Sequence, residues 1–131
     1  MTAKNSGPGY KDYPDHSVEL IPLPGKVQVT ALGKVIAVSS AALRVEESRY
    51  PPVIYVPRTD VDFKALVEND HSTYCPFKGE ARYWNIRVGN DFLGSAVWGY
   101  DTPYDEVAAL KDYVAFYADK VDEISVDGIA Q

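Results

Sequence analysis

The sequence predicts a mainly β domain with about seven short strands and one or two short helices. Short runs rich in β-branched and aromatic residues alternate between apolar and polar positions, which is typical of half-buried strands. Gly and Pro turn signals separate these runs. No strand is followed by a long helical pattern, so a doubly wound parallel sheet is excluded. The length of 131 residues fits one domain.

The single domain is predicted to span residues 16–124. Residues 1–15 are rich in Gly, Pro, Lys and Asp and predict a flexible N-terminal tail. The polar residues 125–131 predict a frayed C-terminal tail. The first strand covers residues 16–22, where apolar and polar side chains alternate.

The next four strands lie between turn signals. Residues 26–39 predict a hairpin that turns at Gly33 and Lys34. Residues 41–46 predict a further strand, and the run 53–56 predicts another that ends at Pro57.

The second half mixes helices, a loop and strands. Asp60 is predicted to cap a short helix over residues 61–68. Residues 69–79 show no periodicity and predict a loop. Residues 80–88 predict a strand that pairs with one ending at residues 96–100. Residues 105–112 predict a one- or two-turn helix, and residues 113–117 a strand.

Charge and cysteine content exclude several classes of function. Nineteen acidic residues against thirteen basic ones give a net charge of −6, so we expect no nucleic-acid partner and no anionic membrane partner. The one cysteine, Cys75, excludes an intrachain disulfide. The first residues lack the apolar core of a secretory signal, and no run of about 18 apolar residues occurs. We therefore expect a soluble, cytoplasmic protein.

The segment 70–84, DHSTYCPFKGEARYW, concentrates side chains that carry chemistry. Cys75 is a candidate nucleophile, with Lys78 and His71 as cations that would stabilise its thiolate. Glu80 or His71 would carry the proton. The alternative is a thiol that only packs, because free cysteine is among the most buried residue types.

Metal and nucleotide sites have little support in the sequence. Two histidines and one cysteine are too few for a typical zinc site, and no CxxC pair occurs. The pair Asp60 and Asp62 has the spacing of a metal-binding DxD motif, but no glycine-rich phosphate loop precedes it. We expect neither a metal nor a cofactor.

Aromatic side chains suggest a binding wall instead. Trp98 and Tyr100 lie near the end of one predicted strand, and Tyr74 and Tyr83 belong to the segment 70–84. Such walls hold flat or cationic ligands, although ordinary core packing is the alternative. Arg49 beside Tyr50 could clamp an anion, or it could be a solvated arginine.

Three stretches resemble the family called domain of unknown function 427, which is sometimes given a nucleotidyltransferase label. The stretches are DHSVELIPLPGKVQVTALGKVIAVSSAALRVEES (15–48), RYPPVIYVPRTDV (49–61), and DHSTYCPFKGEARYW (70–84) followed by AVWGYDTPYDEVAALKDYVAFYADKVD (96–122). The resemblance covers nearly the whole domain. It implies two antiparallel sheets in a β-tent, or Mss4-like, arrangement with a cleft between them. The structural zinc of several such proteins is not carried over, because its cysteine pairs are missing here.

The resemblance also places a site in that cleft, at the positions that match the family pattern. The candidate catalytic residues of this site are His71, Cys75, Lys78 and Glu80. Its candidate ligand-binding residues are His16, Arg49, Tyr50, Tyr74, Trp98 and Tyr100.

The function predicted from these residues is the binding of a small molecule, with or without catalysis, around the segment 74–80 (YCPFKGE). The alternatives are a non-catalytic module that binds a protein or peptide, and a nucleotidyltransferase-like activity.

Overall fold

The computed structural model describes residues 5–131 and contains two antiparallel sheets. The larger sheet has seven strands in the order β1-β4-β5-β9-β8-β7-β6, and the smaller has four in the order β11-β10-β2-β3. The strands are β1 (Val18–Pro22), β2 (Val27–Ala31), β3 (Lys34–Ser39), β4 (Leu43–Glu47), β5 (Val53–Pro57), β6 (Leu66–Cys75), β7 (Gly79–Val88), β8 (Asp91–Tyr100), β9 (Tyr113–Phe116), β10 (Glu123–Val126) and β11 (Ile129–Ala130).

Helical structure is short. One α-helix, α1, covers Gly9–Asp12, and 3-10 turns cover Arg58–Asp60, Phe63–Ala65 and Asp105–Asp112, the last of them kinked at Val107. The predicted mainly β class with two antiparallel sheets and short helices is confirmed. None of the helices in residues 5–131 is long and apolar enough to cross a bilayer.

The seven-stranded sheet is apolar on both faces. One face packs against the four-stranded sheet through buried side chains such as Val29, Ile36, Val56, Ile86 and Val97. The opposite face carries a second apolar cluster, which includes Val45, Tyr55, Tyr83, Tyr100 and Leu110. The second cluster is covered only in part, by the 3-10 turns Asp105–Asp112. A cleft can therefore form on this outer face.

Several predicted elements are confirmed. The hairpin over residues 26–39 forms, but its turn lies at Leu32 and Gly33, both with positive φ (53° and 76°). Positive φ at both central residues gives the turn that suits the right-handed twist of a two-residue hairpin. Residues 113–116 are a strand in the middle of the large sheet, as expected.

The predicted helix over residues 61–68 is wrong. Asp60 does not cap it, because its carboxylate accepts a hydrogen bond from Ser39 Oγ at 2.6 Å. A single 3-10 turn follows instead, in which Asp62 accepts from the backbone N–H of Lys64, and β6 begins at Leu66. A lone acidic residue before a mixed apolar run is thus a weak helix signal when a strand competes.

The predicted loop over residues 69–79 is also wrong, because most of it belongs to β6. Residues 72–75 pair with residues 79–82 of β7, and a bulge at residues 69–71 separates them from the pairs at residues 66–68. Most β6 side chains are exposed on this edge strand. An edge strand exposed on both faces has no apolar periodicity for the sequence to reveal.

Both predicted tails need correction within the described residues. Residues 5–15, which we call the strap, pack on the β6–β7 turn: the N–H of Gly9 donates to the Pro76 carbonyl at 3.0 Å, and Tyr10 OH donates to the Phe77 carbonyl at 3.0 Å. Residues 1–4 of the predicted N-terminal tail lie outside the described residues. Residues 123–130 form β10 and β11 and are not frayed. Backbone hydrogen bonds hold both of these segments against the domain although they contain few apolar residues. Amino-acid composition does not reveal such bonds.

Candidate functional site

A cleft of about 320 Å³ lies on the outer face of the seven-stranded sheet. Alternation along β4, β5, β7 and β8 brings every second side chain to this face. The lining is mostly aromatic and aliphatic: Val45, Glu47, Tyr50, Pro51, Val53, Tyr55, Lys78, Tyr83, Trp98, Tyr100 and Tyr117. The space between the two sheets, where the resemblance placed a site, is filled by the side chains of the first apolar core.

The aromatic side chains of the cleft contact one another. The Trp98 ring lies 4.5 Å from the Tyr117 ring between centroids, and Tyr117 stacks parallel to Tyr83 at 6.5 Å. Trp98 Nε1 donates a hydrogen bond to the Tyr55 hydroxyl at 3.2 Å. These contacts hold the aromatic side chains that form the walls of the cleft in place without a ligand.

Three phenols of the cleft have a raised pKa and stay protonated. Burial raises the pKa of Tyr55, and burial together with the nearby Tyr55 phenol raises the pKa of Tyr100. Burial, and then the neighbouring Tyr83, raise the pKa of Tyr117 to about 12. At neutral pH these hydroxyls are therefore neutral groups that can donate or accept a hydrogen bond.

A chain of three charged or polar side chains forms one end of the cleft. Glu47 Oε1 pairs with Lys78 Nζ, and Glu47 Oε2 lies 2.8 Å from His16 Nε2. The exposed fractions of the three side chains are only 13% for Glu47, 10% for Lys78 and 12% for His16. Such a chain satisfies both carboxylate oxygens and leaves the other protons of the ammonium group available to the cleft.

The β6–β7 turn positions Lys78. The backbone N–H of Lys78 donates to the Cys75 carbonyl at 3.3 Å, and its carbonyl accepts from the N–H of Tyr104 at 3.0 Å. Gly79 follows with a φ of 112°, a conformation that a side chain would strain. Phe77 stacks on the His16 ring with 3.9 Å between the centroids. The β6–β7 turn therefore contains Lys78 and also contacts His16, the residues that Glu47 pairs with.

A second cavity of about 400 Å³ opens on the other side of His16. The strap forms one side of it and the β4–β5 turn the other. Its lining includes three charged side chains, Asp12, Asp15 and Arg49. The other lining residues are Tyr13, Pro14, His16, Ser48, Tyr50 and Phe77. Tyr50 lines both cavities, so they adjoin.

Two carboxylates hold the strap. Glu106 accepts hydrogen bonds from Ser6 Oγ and from the N–H of Gly7, and Asp105 accepts from the N–H of Asn5 at 2.7 Å. Burial would raise the pKa of Glu106, but the hydrogen bonds from Ser6 and Gly7 outweigh it and keep the pKa below its ordinary value. The second cavity therefore depends on contacts about 100 residues apart in the sequence.

A family model described as a domain of unknown function (DUF427) matches residues 19–127. The chain belongs to this family. The resemblance seen in the sequence is thereby confirmed, and the matched range includes Glu47, Lys78 and every aromatic residue of the cleft. His16 and the strap precede it. No curated protein matches the chain.

Some predicted site residues of this DUF427 domain lie together. Lys78, Tyr50, Trp98 and Tyr100 line the cleft, whereas His16, Arg49 and again Tyr50 line the second cavity. Tyr83 of the proposed aromatic wall also lines the cleft. The predicted roles of these residues stay predictions.

The other predicted residues lie elsewhere. His71 sits in the β6 bulge with its ring 4.4 Å from Tyr83, and Tyr74 is exposed, with its hydroxyl 2.6 Å from that of Tyr104. Glu80 is exposed and shares a strand face with Arg82, opposite to Tyr83. None of the three lines the cleft.

Cys75 ends β6 and is half-buried. No hydrogen bond among residues 5–131 involves its Sγ atom. Cys75 is not among the residues that line the cleft. The proposed nucleophile therefore has no partner base in this arrangement.

Glu47, Tyr55 and Tyr117 are site residues that the sequence did not single out. Glu47 had a signal, because it follows Leu43 and Val45 at the inward positions of β4. A carboxylate in an otherwise apolar inward row needs a partner, which Lys78 and His16 supply. Tyr55 and Tyr117 carried no signal, since isolated strand tyrosines are common.

No group of three or more His, Cys, Asp or Glu residues within residues 5–131 is arranged to hold a metal ion. The DxD pair has other roles: Asp60 accepts from Ser39, and Asp62 pairs with Lys34 at 3.2 Å.

Proposed function

We propose that this DUF427 domain binds a small planar molecule in the cleft, with a hydrogen-bond acceptor of that molecule directed to Lys78. The observation that carries the proposal is the presence of one buried ammonium group at the end of a cleft whose walls are largely Tyr and Trp.

The size and lining of the cleft suit a small ligand. A volume of about 320 Å³ falls at the lower end of the range of ligand pockets, which are mostly apolar with a few polar groups that fix orientation. Trp98 and Tyr117 already contact each other at 4.5 Å, so their rings are ready to pack on a flat molecule. Aromatic pairs add about 0.5–1.5 kcal/mol beyond their buried area.

The charges of Lys78 and Glu47 determine which hydrogen-bond acceptor of a ligand suits the cleft. Lys78 carries three donors, of which the Glu47 carboxylate takes one. Because Glu47 already balances the ammonium charge, a neutral acceptor such as a carbonyl oxygen suits the site better than a multiply charged anion. Neutral phenols on the walls add further donors.

Line broadening in ¹⁹F NMR tests the proposal with two probes. 4-Fluorobenzamide carries an aromatic ring and a carbonyl acceptor, whereas fluorobenzene carries the ring alone. We expect the wild-type protein to bind the benzamide more tightly. Lys78→Met should remove that preference, and Tyr117→Ser should weaken both probes by removing one wall.

Phe92→Ser is the matched control, because Phe92 is an exposed aromatic residue that does not line the cleft. Circular dichroism and thermal melting report whether each variant folds. Lys78→Arg, which keeps the ion pair, covers the case in which Lys78→Met does not fold. The proposal would be overturned if the wild type bound the two probes equally well. It would also be overturned if Tyr117→Ser broadened both probes as much as the wild type does.

The two alternatives from the sequence stay predictions. Nothing about the cleft favours nucleotidyl transfer over the binding of any other planar molecule, and a partner surface has no support from the cleft.

A further inference from the structure

We infer that the second cavity recognises an ammonium group and a carboxylate together, so that the ligand of the cleft is an amino-acid-like zwitterion with a planar side chain. This inference rests on the proposed function, because the planar part of the ligand would occupy the cleft.

The first argument is the position of the two cavities. They share Tyr50. His16 lines the second cavity and is paired with Glu47, which lines the cleft. The Tyr50 side chain is 64% exposed, so it does not close the passage by packing. A molecule whose ring lies in the cleft can therefore extend its polar end past Tyr50 into the second cavity.

The second argument is the set of free charges in the second cavity. Arg49, Asp12 and Asp15 line it, and none of them forms an ion pair or a side-chain hydrogen bond with any of residues 5–131. This contrasts with the cleft, where Lys78 and Glu47 neutralise each other. Unbalanced charges of both signs around one cavity complement a molecule that carries both signs.

The two signs have separate positions in the fold. Asp12 and Asp15 belong to the strap, together with the exposed ring of Tyr13, and carboxylates beside an aromatic face favour an ammonium group. Arg49 belongs to the opposite β4–β5 turn, and a guanidinium binds a carboxylate through two parallel hydrogen bonds. The ammonium would thus face the strap and the carboxylate would face Arg49.

The backbone at Arg49 supports a functional role. Its φ is 71°, in the left-handed region that residues with a side chain seldom adopt. The turn imposes this conformation, since the N–H of Tyr50 donates to the Glu47 carbonyl at 3.1 Å. A residue with a side chain in this region carries backbone strain, and strained residues cluster at binding and active sites.

Three fluorinated probes with one ring and different polar ends separate the parts of the inference. 4-Fluorophenylalanine carries both charges, 3-(4-fluorophenyl)propionate only the carboxylate, and 2-(4-fluorophenyl)ethylamine only the ammonium. Measured by ¹⁹F NMR titration at low salt, the amino acid should bind about tenfold more tightly than either truncated probe, as a charge-assisted pair in a partly exposed site allows.

Variants assign each charge to its side of the cavity. Arg49→Met should weaken the amino acid and the propionate but leave the ethylamine unchanged. The double variant Asp12→Asn with Asp15→Asn should weaken the amino acid and the ethylamine but leave the propionate unchanged. Arg87→Met and Asp91→Asn change charge outside both cavities and are the matched controls.

Two results would overturn the inference. One is an amino acid that binds no more tightly than its truncated forms. The other is a loss of affinity in Arg49→Met that is equal for all three probes, or equal to that of Arg87→Met. Because 4-fluorobenzamide reports on the cleft alone, its binding would then show that the proposed function survives while the zwitterion inference fails.

Discussion

Glu47 at the end of β4 and Lys78 in the β6–β7 turn form an ion pair that is about nine-tenths buried, although 31 positions separate them in the chain. The pair ties the β1–β4 edge of the large sheet to the turn that follows its other edge strand, β6. It therefore matters both for stability and for the cleft that it borders.

Glu47→Ala should lower the free energy of unfolding by about 3–5 kcal/mol, because it leaves the Lys78 ammonium buried without a counter-charge. Urea denaturation followed by circular dichroism measures the change. The double variant Glu47→Leu with Lys78→Met should recover much of the loss, since apolar pairs of similar volume replace buried ion pairs at little cost.

Glu46→Ala is the control for this prediction. Glu46 is the neighbouring carboxylate, and its exposed pair with Arg44 should contribute under about 1 kcal/mol. An equal loss of stability in the Glu46 and Glu47 variants would contradict a special role for the buried pair.

Gly99→Ala should destabilise the protein by about 1–3 kcal/mol through overpacking. A Cβ atom at residue 99 would lie 2.9 Å from Arg58 Nη2 and 3.1 Å from the Tyr113 carbonyl oxygen. Arg58 cannot retreat freely, because it is fixed by a hydrogen bond to Asp101 at 2.9 Å. The midpoint of thermal unfolding measures the effect.

Gly94→Ala offers a matched comparison on the same strand, β8. The nearest atom to a Cβ at residue 94 is 3.9 Å away, an ordinary contact. Its unfolding midpoint should stay close to that of the wild type, and a similar drop in both variants would point to strand propensity rather than to the clash.

The buried phenols should make stability fall at high pH. Burial raises the pKa of Tyr55 and Tyr100, and that of Tyr117 to about 12, above the value of about 10 in the unfolded chain. A raised pKa means that the folded state holds its protons longer, so the stability is complete below pH 10 and is lost as the pH rises above it.

Spectrophotometric titration at 295 nm checks this. We expect a group of phenols that ionise only with unfolding, and Tyr100→Phe should reduce that group by one. Complete titration of all ten tyrosines before unfolding would show that the cleft phenols are open to solvent.

Asp101 should contribute to stability at neutral pH and lose that contribution in acid. Burial would raise the pKa of Asp101, but hydrogen bonds from Arg82 and Arg58 outweigh it and keep the pKa below its ordinary value. A lowered pKa gives stability above about pH 3.9 that disappears as the pH falls through the folded-state pKa. Because Asp101 is largely solvated, we expect under about 1 kcal/mol.

The comparison of wild type with Asp101→Asn across pH measures this contribution. The wild type should be more stable at pH 7, and the two curves should converge toward pH 3. Asp91→Asn removes an exposed carboxylate and should leave the difference unchanged with pH. A gap between wild type and Asp101→Asn that persists in acid would contradict the ionic origin.

Glu106→Ala should free the strap and speed tryptic cleavage after Lys11 several-fold. Glu106 accepts from Ser6 and Gly7, and proteolysis follows the population of the open form when opening is fast. Mass spectrometry of the digest measures the rate. The exposed Glu123→Ala serves as the control, and cleavage at the wild-type rate would show that the strap does not depend on Glu106.

The strands that face a core on one side were predictable from the sequence. β1 to β5 and β7 to β9 carry alternating or continuous apolar runs, which burial produces directly. β6 was missed because an exposed edge strand leaves no such pattern, and the strap and β10 were missed because distant backbone and carboxylate contacts hold them.

The candidate site was predictable only in part, for a related reason. Lys78, Trp98 and Tyr100 stood out by residue type, and the structure brings them to one cleft. His71, Cys75 and Glu80 are close in the sequence but do not line the cleft. Glu80 points away from Tyr83, because successive residues of a strand point to opposite faces. Glu47 and Tyr117 reach the cleft through pairing between distant strands, which no local pattern records.

The bulge at residues 69–71 has a consequence for self-association. β6 is the ten-residue edge of a large sheet, and a flat edge of that length is a template for the β-strand of another molecule. Asn69 holds the bulge in place by donating to Asn85 Oδ1 at 2.8 Å and to Ser95 Oγ at 2.9 Å. The ladder is interrupted there, and Glu68 and Asp70 place negative charge beside and within the bulge. We therefore expect loss of the Asn69 amide to favour strand addition at this edge and aggregation.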